Sequence, residues 1–320
     1  MDENSTTPTC FTPYPRFHLS SEQKIILTIY NVLVNGVINM SLNLLVIYIL
    51  IETKQIKMVA MRLILFVSIS DVFGAVSMAI FIPILMLKNT CHFSMETITL
   101  FQLVLWGHMS GYTLALISYD RYKRVKLQHC YKLIMTPRRV HFMVLIVVML
   151  AFIHAILFTL GMFYNKFFGT ADKIVFAFDL TCLVCIFYFY VVFTNKTNQA
   201  ARRFSAISTY NKNSNYLRTT NLVKRILIGM AFMFAIYCAG LIPKTMFKSY
   251  LDSNQQLGEV IFMVTNFMVH TNGALNAIIL LYNDKKARKK VKLMCCNFAK
   301  NLKDEKTQSA RTVHRDSIDD

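Results

Sequence analysis

Charged residues lie inside two long apolar stretches of this 320-residue chain. Asp71 lies in the middle of one stretch, and Asp120 and Arg121 lie side by side at the polar end of another. An ionisable group in such a stretch costs several kcal/mol unless it faces protein, water or a counter-ion. The chemistry that these residue types support is ion pairing and cation binding, and we do not expect an enzyme.

The composition excludes a soluble globular protein. Hydrophobic residues make up 55% of the chain and charged residues 16%, so polar groups could not cover a protein surface. The net charge of +18 could suggest nucleic acid, but the basic residues cluster between apolar runs, so we expect no nucleic-acid partner. The eight cysteines show no metal-ligand spacing.

Apolar runs long enough to cross a bilayer, which needs about 20 residues, recur along the chain. They predict an all-α membrane protein, a seven-transmembrane bundle at 24–282 that follows an N-terminal tail at 1–23. The basic amphipathic stretch at 283–297 predicts a short interfacial eighth helix, and 298–320 a disordered cytoplasmic tail. The seven runs are 24–50, 58–87, 96–120, 140–163, 173–195, 225–248 and 257–282.

The positions of the basic residues predict the topology. Most of the 35 Lys and Arg residues follow spans one, three, five and seven, which places the N-terminus outside and the C-terminus inside. We therefore expect a multi-pass plasma-membrane protein. Asn4 begins an N-glycosylation sequon in the outside tail, and Cys295 and Cys296 are palmitoylation candidates on the inside.

Asp120-Arg121-Tyr122 stands where the third run ends, and Lys123-Arg124-Val125-Lys126 begins a basic loop. Met135-Thr136-Pro137-Arg138-Arg139 then opens the fourth run. This arrangement resembles the third helix and second intracellular loop of rhodopsin-like (class A) G-protein-coupled receptors, of which the chain looks like a divergent, orphan-type member. The family's fourth-helix Trp and fifth-helix Pro are missing. Other positions that keep the family's pattern are Asn43, Asp71, Pro243, Asn272 and Asn276. In the sixth helix Leu241 replaces the family's Trp. In the seventh helix Gly273 replaces its Ser, Ala277 its Pro and Leu280 its Tyr.

The resemblance implies a receptor that passes the binding of an extracellular ligand to a heterotrimeric G protein, with arrestin and membrane lipid as further partners. Asp120, Arg121 and Tyr122 would couple to the G protein, with Arg121 leaving Asp120 when span six moves outward. The alternative is that Asp120 and Arg121 form an ordinary interface ion pair. Ser110, Leu114, Ile117 and Arg121 are spaced to share one helical stripe, which should face the bundle.

Asp71, Ser110, Asn272 and Asn276, with Asn43 near, are the residue types of the family's buried sodium site. The alternative is a hydrogen-bonded polar cluster that contains water. Beyond this ion we expect no cofactor. A family disulfide cysteine corresponds to Cys91, and Cys10 is its expected partner because these two are the cysteines that the topology places outside.

The ligand pocket should lie in the outer half of the bundle. Leu103 stands where amine receptors of this family carry an aspartate, so a cationic amine lacks its usual counter-ion. Lys244 and Lys248 lie one turn apart, and their charges favour an anionic small molecule or a peptide with an acidic end as the ligand. Two alternatives are that Asp179 pairs with Lys244 and that Lys248 extends to the lipid headgroups. Other expected pocket residues are His108, Asn266 and His270.

Two alternatives remain open from the sequence. Because the Trp and Pro-x-x-Tyr elements are replaced, the chain could be a decoy or a constitutively active receptor. A seven-span transporter that uses Asp71 in an ion path is a weaker alternative, since the sequence lacks duplicated halves.

Overall fold

The structure is a computed structural model that describes residues 21–87, 93–127, 130–163, positions between 177 and 195, and residues 271–297 with gaps. Within these residues, four helical segments are long and apolar enough to cross a membrane, and they coincide with the first four predicted runs. Gly273–Tyr282 is a shorter apolar helix within the seventh run. The four segments are Thr28–Glu52, Val59–Phe81, Thr97–Arg124 and Pro137–Leu160.

The first span consists of three consecutive helical segments: α1 (Ser21–Tyr30), a π-helical stretch (Asn31–Ile38) and α2 (Asn39–Glu52). π-helix is usually confined to single turns, often at functional sites, so eight consecutive residues are unusual. Asn31 and Asn35 of this stretch are buried. The first span therefore turns polar side chains toward the protein.

The first span ends in a compact turn after α2. The Thr53 hydroxyl donates to the Ile49 carbonyl (2.7 Å), and Lys54 adopts the left-handed conformation (φ 52°) with its N–H bonded to Ile51. A left-handed residue commonly ends a helix because its N–H can reach a carbonyl of the last turn. A 3-10 turn at Gln55–Lys57 then leads into the second span.

The second and third spans are α3 (Val59–Leu87) and α4 (Phe93–Leu127). The sequence predicted the third span at 96–120 with a basic loop after it. This prediction is wrong in one respect, because residues 123–126 are helical and belong to the end of α4. Basic residues are favourable there because the carbonyl end of a helix carries a partial negative charge.

The connection from α4 leads through a short helix, α5 (Tyr131–Ile134), to α6 (Pro137–Phe163). Pro137 occupies the first helical position, where a missing N–H costs nothing. The Thr136 hydroxyl accepts a long hydrogen bond from the Arg139 N–H (3.4 Å), as an N-cap does. The Met-Thr-Pro-Arg-Arg sequence is thus a helix start.

The described helices pack around α3, which contacts the first span and α4, while α4 also contacts α6. One core cluster joins all four spans to the Gly273–Tyr282 helix through residues such as Leu50, Leu63, Leu114 and Leu280. Large apolar side chains cover the outward faces of the spans, as the hydrocarbon of a bilayer requires. The predicted inward stripe is confirmed, because Ser110, Leu114, Ile117 and Arg121 are all buried.

Part of the predicted architecture lies outside the described residues. This applies to the sixth run at 225–248, to the seventh run before 271, and to the tails before 21 and after 297. Helical positions occur within the fifth run at 173–195, and residues 286–294 are helical within the predicted eighth helix.

Candidate functional site

Two charged residues lie buried at the end of α4. Arg121 Nε is 4.0 Å from Asp120 Oδ2, at the outer limit of an ion pair. The Tyr131 hydroxyl instead donates a 2.5 Å hydrogen bond to Asp120 Oδ1. Among the described residues, neither Asp120 Oδ2 nor Arg121 Nε has a hydrogen-bond partner. Asp120 is therefore held mainly by α5, and its pairing with Arg121 is loose.

Tyr131 lies between the third and fourth spans. Burial raises the pKa of its phenol above the ordinary value, and the negative charge of Asp120 raises the pKa further. Both effects disfavour the phenolate. Tyr131 therefore remains a hydrogen-bond donor throughout the physiological pH range.

Two lysines at the end of α4 contact tyrosine rings of the same helix. Lys123 Nζ lies 5.3 Å from the ring centroid of Tyr119, and Lys126 Nζ lies 5.6 Å from that of Tyr122. Both distances suit a cation–π contact. The two tyrosine rings also pack against Phe189 in the fifth run. The aromatic rings thus hold two cations near the end of α4.

A second charged site surrounds Asp71 in α3, which is 9% exposed. Ser110 of α4 and Asn276 of the seventh run approach its carboxylate as donors. However, the Asn276 amide does not reach hydrogen-bond geometry, and Asp71 Oδ2 has no partner in the part of the chain that the structure describes. Asn272, the remaining residue of the predicted sodium site, lies outside the described residues.

Gly273 brings the backbone of the seventh run close to this carboxylate. A Cβ at Gly273 would lie 2.9 Å from Asp71 Cγ and 2.9 Å from Asn39 Oδ1, closer than real Cβ contacts. The amide of Asn39 therefore occupies the space beside Gly273 where a serine side chain would begin. Sequence reasoning missed Asn39.

Asn39 belongs to a set of four buried residues of the first span that we term the asparagine ladder: Asn31, Asn35, Asn39 and Asn43. Asn35 Nδ2 donates to Asn31 Oδ1 (2.8 Å), and Asn43 Nδ2 donates to Asn39 Oδ1 (2.7 Å). Of these four residues, only Asn43 was predicted from the sequence as a member of the polar site. The spacing of four residues, which puts side chains on one face of a helix, was the signal that could have found the others.

The asparagine ladder also bonds to the seventh run. The Thr271 hydroxyl donates to Asn35 Oδ1 (3.4 Å) and lies 3.2 Å from the Tyr30 hydroxyl. Asn43 Nδ2 also donates to the Gly273 carbonyl (3.3 Å). A polar seam therefore runs between the first span and the seventh run and reaches the Asp71 site.

Comparison with known families now decides what this bundle is. The model of the family described as "7 transmembrane receptor (rhodopsin family)" matches residues 42–280. The chain belongs to this family. It is thus a rhodopsin-family G-protein-coupled receptor, a multi-pass membrane protein of signal transduction, and its family is one of receptors and not of enzymes. No individual curated protein matches the chain.

The receptor's predicted ligand pocket is only partly described. Leu103 is half-buried, and His108 is buried with its Nδ1 2.8 Å from the Val104 carbonyl of the same helix. His108 therefore has a partner within α4. The other predicted pocket residues, Lys244, Lys248, Asn266 and His270, lie outside the described residues, as does Asp179.

His108 of α4 belongs to an aromatic cluster that was not predicted from the sequence. The Tyr112 hydroxyl of α4 forms a hydrogen bond with Nδ1 of His154 in α6. The His154 ring centroid lies 5.3 Å from that of His108 and 4.7 Å from that of Phe178. This cluster joins the third and fourth spans to the fifth run. A histidine in the apolar fourth run was the available signal.

The first span also contacts the receptor's predicted eighth helix. Gln55 Nε2 donates to Asp284 Oδ2 (2.9 Å), and Gln55 is buried. Lys290 Nζ donates to Glu52 Oε1 (3.0 Å) at the surface, and this hydrogen bond raises the pKa of the Lys290 ammonium. Ala287 is buried on the same helical stretch. The end of α2 and the turn after it thus contact Asp284 and the helical residues 286–290.

The remaining predicted sites concern modification. Cys296 is an exposed free cysteine next to this helical stretch. Its neighbour Cys295 lies outside the described residues, as do the predicted disulfide cysteines Cys10 and Cys91 and the sequon residue Asn4.

Proposed function

We propose that this receptor converts the binding of an extracellular ligand into activation of a heterotrimeric G protein through Asp120, Arg121 and Tyr122. The supporting observation is the loose pairing of Arg121, whose Nε lies 4.0 Å from its nearest carboxylate oxygen. A guanidinium that is weakly paired can leave its carboxylate at low cost and offer its donors to an incoming chain. Tyr131 meanwhile keeps the Asp120 carboxylate bonded.

The test is G-protein activation in cells that express the wild type, Arg121→Ala or Arg124→Ala at equal surface levels. Arg124 is the matched control, because it is an exposed cation near the same helix end. We expect Arg121→Ala to abolish activation, without ligand and with a ligand panel, and Arg124→Ala to retain it. Equal activity of all three proteins would refute the assigned role of Arg121.

A second candidate function is constitutive signalling. Ala277 and Leu280, which replace the family's Pro and Tyr, are buried in the apolar core cluster with Leu114 and Ile117. Apolar packing here takes the place of a polar switch element. Activation that is already maximal without ligand favours this candidate, whereas no activation under any condition favours a decoy receptor.

We also propose that the Asp71 site holds a sodium ion. The residues fit a hard monovalent cation: Asp71 Oδ2 and Asn43 Oδ1 are buried without partners among the described residues, and Ser110 and Asn276 add neutral oxygens. The ion would supply the positive charge that the carboxylate lacks. Replacing sodium with choline should lower the thermal unfolding midpoint of the purified wild type but not that of Asp71→Asn. Equal sodium dependence of the two proteins would refute this site.

We propose an anionic small molecule, or a peptide with an acidic end, as the ligand. Leu103 offers no counter-ion to an amine, while Lys244 and Lys248 supply two cations near the outer end of span six. Lys244→Ala should cost about 2–4 kcal/mol in affinity for the first confirmed agonist and Lys248→Ala less, with surface expression measured separately. An agonist whose affinity survives Lys244→Ala would exclude these lysines from the pocket.

The proposed topology has the N-terminus outside, with arrestin and anionic lipid as further cytoplasmic partners. It makes Asn4 available for glycosylation and lets Cys10 and Cys91 form a disulfide in an oxidising compartment. Cys295 and Cys296 would then carry palmitoyl chains at the inner leaflet. A non-reducing peptide map that finds both Cys10 and Cys91 as free thiols would refute the disulfide.

A further inference from the structure

The asparagine ladder places carboxamides along much of one span. From Asn31 to Asn43 it runs through the π-helical stretch into the first turns of α2, which is about half of a hydrocarbon core about 30 Å thick. Each carboxamide brings two donors and an acceptor into a membrane-buried site. Such groups either join helices or mark the path of water and ions.

The inner end of the ladder favours the second of these roles. Asn43 Oδ1 and Asp71 Oδ2 have no hydrogen-bond partner among the residues that the structure describes. Both residues are more than nine-tenths buried, and both meet the backbone of Gly273. Each residue thus has a buried oxygen that could accept a cation, and the Asp71 oxygen belongs to a carboxylate.

The rest of the ladder connects this site with the N-terminal end of the first span. The Asn39 amide and the Asp71 carboxyl group both lie against Gly273, each 2.9 Å from the position that a Cβ would take there. Farther along, Asn35 Oδ1 meets the Thr271 hydroxyl, which in turn meets the Tyr30 hydroxyl. Neutral oxygens therefore recur at each turn, and weak, repeated sites of this kind allow an ion both to enter and to leave.

We infer that the asparagine ladder is a hydrated track along which a small monovalent cation reaches Asp71 between the first span and the seventh run. The track deepens the proposed sodium site and rests on it, because Asp71 is its end point. Its neutral carbonyl and hydroxyl oxygens would replace part of the ion's hydration shell. Asp71 alone would supply the counter-charge.

The track can be tested with the silver ion, a small monovalent cation that binds thiols. Full-length Asn35→Cys and Thr271→Cys receptors, one from each side of the seam, are exposed to silver nitrate in open membrane fragments. Leu33→Cys is the control, because Leu33 lies in the same π-helical stretch but is 53% exposed on the outward face. Peptide mass spectrometry then measures the loss of alkylation at each new thiol, against the wild type as background.

We expect Asn35→Cys and Thr271→Cys to react at least tenfold faster than Leu33→Cys, and excess sodium nitrate, but not choline nitrate, to slow them. If neither ladder thiol reacts faster than the control, the ladder is a dry helix contact and the track is wrong. Reaction that sodium does not slow would show water without a cation path. If either Asn35→Cys or Thr271→Cys fails to reach the membrane, the reaction rate of the other variant tests the track.

This experiment is independent of the wider functional proposal. Open fragments expose both faces of the membrane, so the result does not depend on topology, and no ligand or G protein is present. The proposed sodium site is refuted by a different result, namely that the unfolding midpoint of the wild type does not depend on sodium. A reactive, sodium-protected ladder thiol in a receptor that activates no G protein would leave the track intact and refute the signalling role.

Discussion

Replacing Gly36 with alanine should destabilise the packing of the first span on the second. A Cβ at Gly36 would lie 2.8 Å from the Cβ of Ala79 in α3, whereas carbon atoms in contact are about 3.5–4.0 Å apart. Neither carbon can rotate away, so the helices must separate by about 1 Å. Overpacking costs about 1–3 kcal/mol, and the better helix propensity of alanine returns at most about 1 kcal/mol. Subtracting this return from a mid-range cost of about 2 kcal/mol, we expect a net loss of about 1 kcal/mol in the free energy of unfolding.

The assay is the thermal unfolding midpoint of purified receptor in detergent, read with a thiol-reactive dye. Gly107→Ala is the matched control, since among the described residues no atom beyond the adjacent turns of its own helix lies within 4 Å of the position that its Cβ would take. It should keep or raise the midpoint. The double variant Gly36→Ala/Ala79→Gly should regain most of the loss, because it removes the opposing methyl group. A Gly36→Ala midpoint equal to that of the wild type would refute the close approach of the two helices.

Three further changes test the hydrogen bonds at the predicted cytoplasmic end, each by the same unfolding midpoint. Tyr131→Phe removes the donor to the buried Asp120 carboxylate. It should lower the free energy of unfolding by about 1.5–3 kcal/mol, the usual contribution of a hydrogen bond to a charged group. An unchanged midpoint would show that water replaces this hydrogen bond. Gln55→Ala should cost about 1–2 kcal/mol, because Asp284 loses its buried donor, and no loss would show that residues 284–290 dock without it. Glu52→Gln should leave the midpoint unchanged in low and high salt, since its pair with Lys290 is exposed and screened; a clear loss would contradict that view.

The sequence by itself determined the helices and the family. An apolar run of sufficient length must become a helix in a bilayer, because only internal hydrogen bonds can satisfy its backbone there. This requirement does not depend on neighbouring spans, so apart from their ends the four predicted runs agree with the first span, α3, α4 and α6. The same holds for the stripe from Ser110 to Arg121, because the spacing of residues along one helix fixes which of them share a face.

Only the tertiary structure decided which atoms meet. The sequence paired Asp120 with its neighbour Arg121. In the structure, however, the hydrogen bond to Asp120 comes from Tyr131, because α5 packs against α4. The motif of the seventh run indicated a missing serine at Gly273, yet Asn39 of the first span fills that place. Such contacts depend on the rotation of each helix and on the distance between helices. Those quantities arise from packing between spans, and no single span's sequence contains them.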